Sequence, residues 1–473
     1  MPAVRTKIVA TLGPASADPA HVDALLDAGV NVIRINCAHG THQSLRQYIE
    51  TVRERAARKR VPLAILADLG GPKLRIGRFA GGAVELEKGQ RFTLTTAATS
   101  GNQQRVAIEY AHLPDEVHKG DLIYLNDGLI SLTVIAVKGK DIITRVDAGG
   151  TLSDRKGLSV PGAAIRAPSV TRKDWADLKL LSAVGVDYVG LSFVRSAADV
   201  QQLRRGMRRL RMDVPIVAKI EKQQAVDNLD EIIAAADAVM VARGDLGVEC
   251  PIHKVPVLQK QIIRACNAAG VPVITATQML ESMIASPRPT RAEATDVANA
   301  VIDGTDAVML SGETATGKYP VEAVEVMRRI ISASEAHLAT MSAAPLGEGS
   351  GIAGEAVGRG ACIAAESIKA LAIVCMTQSG ATARHIARWR PRRSIIAVTP
   401  SEATWRRLNL VWGTEPVLVS EFGDDFDTAC IRILKALRAQ KRLSGRQAVV
   451  ITAGLPFSQH GRTNTIRIEQ LHP

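Results

Sequence analysis

The residues of this chain that could do chemistry lie far apart in sequence, yet each closes a short apolar run. In "AKIE", Lys219 and Glu221 are two residues apart, so in a strand their side chains share one face. In "VARGDLG", Asp245 follows the next apolar run just after a glycine turn. Two carboxylates at the ends of adjacent strands can hold a hard divalent cation through oxygen, with positions left open for phosphate and water. Beside such an ion, the ammonium of Lys219 can neutralise an oxyanion as it develops. Arg34 in "NVIRIN" and Thr277 in "PVITATQ" would face the same point. The set suits a small phosphorylated anion that also carries a carboxylate. Taken alone, Lys219 and Glu221 could equally be a structural ion pair.

A second cluster sits in "ILADLGGPKLRIG", residues 65–77. The apolar run stops at Asp68, Gly70, Gly71 and Pro72 follow, and then come Lys73 and Arg75. The glycines and proline read as a hinge out of the core, with the charges flanking an active face.

These residues need a scaffold that brings strand ends together. Eight apolar runs qualify: "KIVATLG", "NVIRIN", "PLAILADL", "DYVGLSFV", "PIVAKIE", "AVMVARGD", "PVITATQ" and "AVMLSGE". Amphipathic stretches such as "HVDALLDAG" and "DNLDEIIAAAD" lie between most of them. Alternating strands and helices imply βαβ units, and eight of them favour a closed (β/α)8 barrel, a TIM barrel of the α/β class. Each run starts apolar and ends polar, as expected where chemistry gathers at the C-terminal face. After the third run, a long segment alternates apolar and polar residues ("RFTLTT", "DLIYLNDGLISLTVIAV", "DIITRVDAGG") before a helix begins near Lys173. That is an inserted all-β domain, placed as a lid over the barrel mouth. After the small-residue run "APLGEGSGIAGEAVGRG", read as a linker, a further α/β pattern follows, ending in the edge-like strand "NTIRIEQ". The expected organisation is barrel 1–70 and 168–343, lid 71–167, and C-terminal α/β domain 344–473.

Composition narrows the function. Hydrophobic residues are 46% and charged residues 22%, as in an ordinary globular protein, while aromatics are only 3%. With so few rings to stack on bases, the net charge of +12 argues for anionic small substrates and a basic surface rather than nucleic acid. Its one dense basic run is read as "RRGMRRLRM". Six cysteines without paired spacing suggest reduced, packed thiols and a cytoplasmic location. Neither a signal peptide nor a bilayer-spanning run is expected. Two motifs are set aside. The GxGxxG from Gly349 to Gly354 follows no strand, and "GETATGK" lacks the hydroxyl after its lysine that a P-loop needs.

The longer motifs resemble the pyruvate kinase family: "TKIVATLGPAS", "GVNVIRINCAHG", "KIE", "ARGDLGVE", "ATQMLESM", "PTRAEATDVANAVIDGTDAVMLSGETA" and "GRTNTIRI", in family order across the whole chain. The resemblance implies transfer of a phosphoryl group from phosphoenolpyruvate to ADP, giving pyruvate and ATP, in a homotetramer. It implies Mg2+ (or Mn2+) on Glu221 and Asp245. The substrate carboxylate would lie on the amides of Gly244 and Asp245 with Thr277, and the phosphoryl group on Lys219 and Arg34. Asn36, His39, Arg75 and Lys156 would contact the nucleotide, and Asp127 would reach the barrel when the lid closes. A water relay near Thr277 and Ser311 would bring the proton. Rival readings are a metal-dependent barrel aldolase or lyase, which would need no nucleotide-facing cations, and a silent metabolite-sensing scaffold.

Where most members carry Ser, Thr and Glu, this chain has Ala38, Leu69 and Lys73, and Thr316 stands where Lys is usual. The resemblance implies that members binding K+ use oxygens of Asn, Ser, Asp and Thr; here Asn36 and Asp68 remain, but Ala38 offers no hydroxyl and Leu69 keeps only its backbone carbonyl. The expectation is that Lys73, paired with Asp68 beside Asn36, replaces the ion with a tethered ammonium, so that K+ is not required. In the C-terminal domain, "CMTQSGATARHIAR" runs from strand through a Thr/Ser/Gly loop to a helix, a pattern that suits a phosphate. Thr377, Ser379, Gly380 and Thr382 match the family's effector loop, so a sugar-phosphate or nucleotide activator is expected.

Overall fold

A computed structural model describes residues 4–163, 165–340, 352–423, 425–457 and 463–471, apart from the side chains of residues 339 and 340. The eight apolar runs form β1 (Lys7–Leu12), β2 (Val32–Asn36), β3 (Ala64–Asp68), β4 (Tyr188–Leu191), β5 (Ile216–Ile220), β6 (Ala238–Ala242), β7 (Val273–Ala276) and β8 (Ala307–Leu310). All pair in parallel, and β8 returns to β1 to close the barrel. The runs are continuously apolar because both faces are covered. Alternate residues such as Val9, Leu66, Val217 and Met309 fill the interior, while Ile8, Ile65, Ala218 and Val308 meet the outer helices. Leu410, from the C-terminal part of the chain, joins the interior cluster as a buried plug.

The chain leaves the barrel at Gly71, whose φ is +62°. A Cβ there would lie 2.9 Å from the Phe193 ring, so only glycine fits this exit. The helix Arg172–Val184 restarts the barrel pattern behind a capping box of Thr171 and Asp174. Asp174 also accepts from the Gly71 amide at 3.3 Å, tying the exit to the point of return. In between, six strands from Arg91–Thr95 to Leu158–Ser159 form one sheet, and Ala83–Leu86 pairs with Gly150–Ser153. Phe92, Leu94, Leu132 and Ile142 give this segment a core of its own.

The C-terminal sheet has the order Thr414–Leu418, Ser394–Thr399, Ala372–Met376, Val449–Ala453, Thr465–Glu469. The last strand is antiparallel and at the edge, as its alternation predicts. The expected linker needs correction. Its part up to residue 351, including Gly349, lies outside the described residues, as do residues 461–462 of "GRTNTIRI", but Ala353–Ser367 is a helix. Gly358 in that helix packs so closely that a Cβ would come 2.7 Å from the His385 carbonyl oxygen. Small residues serve tight helix packing here, which in sequence looks like a flexible run.

Two aspartates at the barrel floor hold the C-terminal segment. Asp187, 1% exposed, receives Arg53 at 2.7 Å, Arg406 at 2.8 Å and the Ile65 amide at 2.8 Å. Asp306 receives Arg390 at 3.1 Å on both oxygens and the amides of Trp412 and Val273. The six cysteines are free and buried. Among the described residues, no helix is long and apolar enough to cross a membrane.

Candidate active site

The polar ends of β2, β3 and β5 meet at one buried ionic cluster. Asp68 at the end of β3 accepts from Arg34 Nε at 2.8 Å and lies 3.3 Å from Lys219 Nζ. Lys219 Nζ is 2.8 Å from Glu221 Oε1 and donates to Ser192 Oγ at 2.8 Å. Arg34 also reaches Thr11 Oγ1 at 3.2 Å. Register explains the convergence: Arg34 is opposite Leu66, Asn36 is opposite Asp68, and Gly190 on β4 is opposite Asp68. A Cβ at Gly190 would fall 2.7 Å from Asp68 Oδ1, so that glycine makes room for the carboxylate.

Burial opposes the charge on Lys219, but Asp68 and Glu221 outweigh it and hold the ammonium above its ordinary value. Burial likewise disfavours a charged Asp68, yet Lys219 and Arg34 keep its pKa below the usual carboxylate range. Glu221 is shifted upward, chiefly by burial, with the nearby charge of Asp245 adding to it against Lys219. Asp68 Oδ1 and Glu221 Oε1 are buried without a well-aligned hydrogen bond, the latter despite its close ammonium.

Those acceptors bear on whether a metal fits. Glu221 Oε2 is held by the Phe193 amide at 2.7 Å, and Oε1 faces the Lys219 ammonium without a well-aligned hydrogen bond. Asp245 is 37% exposed and close enough to perturb Glu221. It lies in the first turn of the short helix Arg243–Glu249 rather than on the strand itself. Two carboxylates, one with an orphaned oxygen, are a donor set suited to a hard divalent cation. Among the described residues, no three His, Cys, Asp or Glu side chains converge as a metal cage, so water and substrate would complete such a shell.

Thr277, just past β7, has φ +70°, a strained setting for a β-branched residue. Its Oγ1 accepts from the Gly244 amide at 2.8 Å. That amide, expected to face a substrate carboxylate, is thus engaged by Thr277. Ser311 Oγ is buried without a partner.

The hinge cations lie at the edge of the same mouth. Lys73 Nζ is 3.4 Å from Asp127 of the inserted segment and 3.7 Å from Asp245. The expected pairing with Asp68 is therefore not formed: Arg34 and Lys219 already occupy that carboxylate, and Lys73 turns to the more exposed acids. Asn36 Oδ1 accepts from the Ala38 amide at 3.0 Å. Arg75 donates to the Arg155 carbonyl at 3.0 Å, next to Lys156, whose carbonyl accepts from Ile76. Burial lowers the His39 pKa, with Arg75, Arg34, Lys73 and Lys173 adding to the effect. His39 thus sits among the cations.

The C-terminal loop is not arranged as an open hydroxyl cradle. Thr377 Oγ1 accepts from the Gly380 amide at 2.9 Å, and Thr382 Oγ1 pairs with Thr463 Oγ1 at 2.7 Å. Both threonines are buried, which leaves Ser379 and the Gly380 turn (φ +82°). Thr11, Ser192 and Phe193 also meet this cluster, although they are not among the site residues expected from the sequence. Ser192, which receives Lys219 and donates to the Leu69 carbonyl at 2.9 Å, was visible as the polar end of the fourth run. The role of Phe193 is a backbone amide and has no side-chain signal.

Comparison with known proteins bears on this geometry. Residues 3–324 match the family model of the pyruvate kinase barrel domain, and residues 355–469 match that of the pyruvate kinase alpha/beta domain. The chain is 41% identical over 469 residues to a pyruvate kinase of Clostridium acetobutylicum, covering 98% of this chain and 99% of that one. It is 43% identical over 467 residues to a pyruvate kinase of Mycobacterium tuberculosis, covering 99% and 98%. A crystal structure of a pyruvate kinase from Cryptosporidium parvum superposes with a TM-score of 0.91 at 34% identity, over 99% of this chain and 96% of that one. With both parts of the chain matched and the barrel mouth carrying the ionic cluster, the chain belongs to the pyruvate kinase family.

Proposed function

We propose that this chain transfers the phosphoryl group of phosphoenolpyruvate to ADP, giving pyruvate and ATP. One observation carries the reading: Lys219, buried between Asp68 and Glu221, meets Arg34 across Asp68, with Asp245 close enough to perturb Glu221. Phosphoryl transfer spreads charge over oxygens, so positioned cations do most of the work. Glu221 and Asp245 would hold Mg2+ (or Mn2+), which when bound supplies charge to the phosphoryl and enolate oxygens. Lys219 and Arg34 orient the phosphoryl group, and Lys219 stabilises the enolate oxygen. Thr277, with the amides of Gly244 and Asp245, receives the substrate carboxylate, which takes over the Gly244 amide from Thr277 Oγ1. A water relayed past Thr277 and Ser311 delivers the proton. Asn36, His39, Arg75 and Lys156 receive the nucleotide, and Asp127 comes with the lid. A coupled assay for pyruvate with Mg2+ tests this. Turnover that is independent of ADP would indicate an aldolase or lyase instead, and no turnover would indicate a scaffold.

The finer reading is that K+ is not required. Ala38 offers no hydroxyl, and Lys73 brings a fixed positive charge next to Asp245. Activity should be unchanged when K+ is replaced by a bulky organic cation, and strong K+ stimulation would rule the reading out. Lys73→Glu with Leu69→Thr should create K+ dependence. The loop at Ser379 and Gly380, with Thr377 and Thr382 bracing it, is assigned to a sugar-phosphate or nucleotide activator. That assignment predicts a lower half-saturation for phosphoenolpyruvate with at least one such phosphate. The functional units are taken as barrel 1–70 and 168–343, lid 71–167 and regulatory domain 344–473, assembled as a cytoplasmic homotetramer.

A further inference from the structure

Beyond "RRGMRRLRM", the chain carries a second arginine-dense run. Residues 381–393, "ATARHIARWRPRR", carry Arg384, Arg388, Arg390, Arg392 and Arg393. The helix Ala381–Ala387 and the turn after it lay this run against the barrel floor, at the opposite end from the ionic mouth. Arg388, 7% exposed, pairs with Glu355 and donates to the Ala268 carbonyl. Arg390 grips Asp306, and Arg393 lies 3.3 Å from Glu366. The Arg384 side chain makes no hydrogen bond or ion pair among the described residues.

A shallow, open cleft lies between this run and the loop after the helix Val255–Ala269. Arg384, Arg388, Arg390, Asn267 and Asp306 line it, with a few small apolar neighbours. Asp306 is the one carboxylate in that lining, and its oxygens are taken by Arg390 and by the amides of Trp412 and Val273. Two donors on the run, Arg390 Nε and Trp389 Nε1, are buried with no acceptor. Buried donors call for acceptors, and guanidinium groups match the oxygens of a tetrahedral anion. The cleft is therefore lined by three guanidiniums, of which Arg388 and Arg390 are paired with Glu355 and Asp306, and Arg390 Nε is buried there without an acceptor.

We propose that this floor cleft binds a phosphate-class oxyanion, either inorganic phosphate or the phosphoryl group of a small metabolite, with Arg384 as its main charge partner. Bound there, the anion would join the barrel floor to the C-terminal segment through Arg384, Arg388 and Arg390. The site is separate from the catalytic reading and from the Ser379 loop.

The test uses the full chain, with titration calorimetry of inorganic phosphate and, in parallel, glycerol 3-phosphate, against chloride at matched ionic strength. Saturable binding is expected, weakened at least about tenfold by Arg384→Gln. Binding of inorganic phosphate would identify the free ion as sufficient, and binding of glycerol 3-phosphate alone would identify an organic phosphate. Because Arg384→Gln could loosen the interface, hydrogen exchange of the unaltered chain gives a second readout, with slower exchange expected over residues 265–272 and 381–391. Absence of saturable binding, indifference to Arg384→Gln, or protection confined to the Ser379 loop would each overturn the proposal.

Discussion

The two ends of the barrel both bury aspartates against cations, and they treat them differently. At the floor, both Asp187 oxygens are filled by Arg53, Arg406 and a backbone amide, and Asp306 is filled in the same way. At the mouth, Asp68 Oδ1 and Glu221 Oε1 are left without aligned donors although Arg34 and Lys219 are beside them. A saturated buried ion pair contributes to holding two parts of a chain together, whereas an unsaturated one costs stability and waits for a ligand. Satisfied acids at the N-terminal face and hungry acids at the C-terminal face match the division of labour in barrels of this kind.

Substitutions can break this contrast. The largest effect is expected at the mouth. Glu221→Gln should lower kcat about a thousandfold, roughly 4 kcal/mol of barrel-mouth electrostatics, while the unfolding midpoint holds or rises. A large loss of stability with little loss of activity would mean the cluster is structural after all. Next is the floor, where Asp187→Ala leaves Arg53 without its carboxylate and Arg406 with only the longer contact to Glu402 at 3.4 Å. It should destabilise the chain by about 3–5 kcal/mol in denaturant titrations, with KM and kcat of the folded fraction little changed. A kinetic defect with no stability change would erase the distinction between the two ends.

Lys7 sharpens the floor side. It is buried at the start of β1, donates to the Thr414 carbonyl at 2.7 Å, and has its pKa lowered from 10.5 to about 8 by burial, against Glu415, Glu335 and Asp306. The folded value is below the unfolded one, so the unfolded chain binds more protons between them and stability rises with pH across that window. Below about pH 8 the cost is fully present, about 3 kcal/mol. Stability measured relative to Lys7→Met should therefore climb between pH 8 and 10.5, and a flat difference would show that Lys7 is not strained by burial. The smallest effect is at Thr277. Thr277→Gly should relieve its φ of +70° and add about 1 kcal/mol of stability while activity falls at least about tenfold. Unchanged activity would remove Thr277 from the site.

Much of the fold was legible because periodicity is local. The eight parallel runs and the antiparallel edge strand at Thr465–Glu469 stand where alternation and polar ends put them. The exception was the small-residue run before residue 360, because a glycine chosen for helix contact looks the same in sequence as one chosen for flexibility. In the site, Lys219 and Glu221 could be paired from their spacing alone. The partner of Lys73 could not, since the choice between Asp68, Asp127 and Asp245 depends on which acids are already occupied.

By itself, the sequence determined which residues end each strand, on which face they fall, and therefore that acids and cations gather at one rim. Only the tertiary structure decided which oxygens are satisfied and which are left waiting, and that an arginine run joins the floor to the rest of the chain. The reason is that residue type and alternation are properties of neighbours along the chain. Saturation of a buried charge is settled by groups brought together from distant segments, as Arg406 is on Asp187.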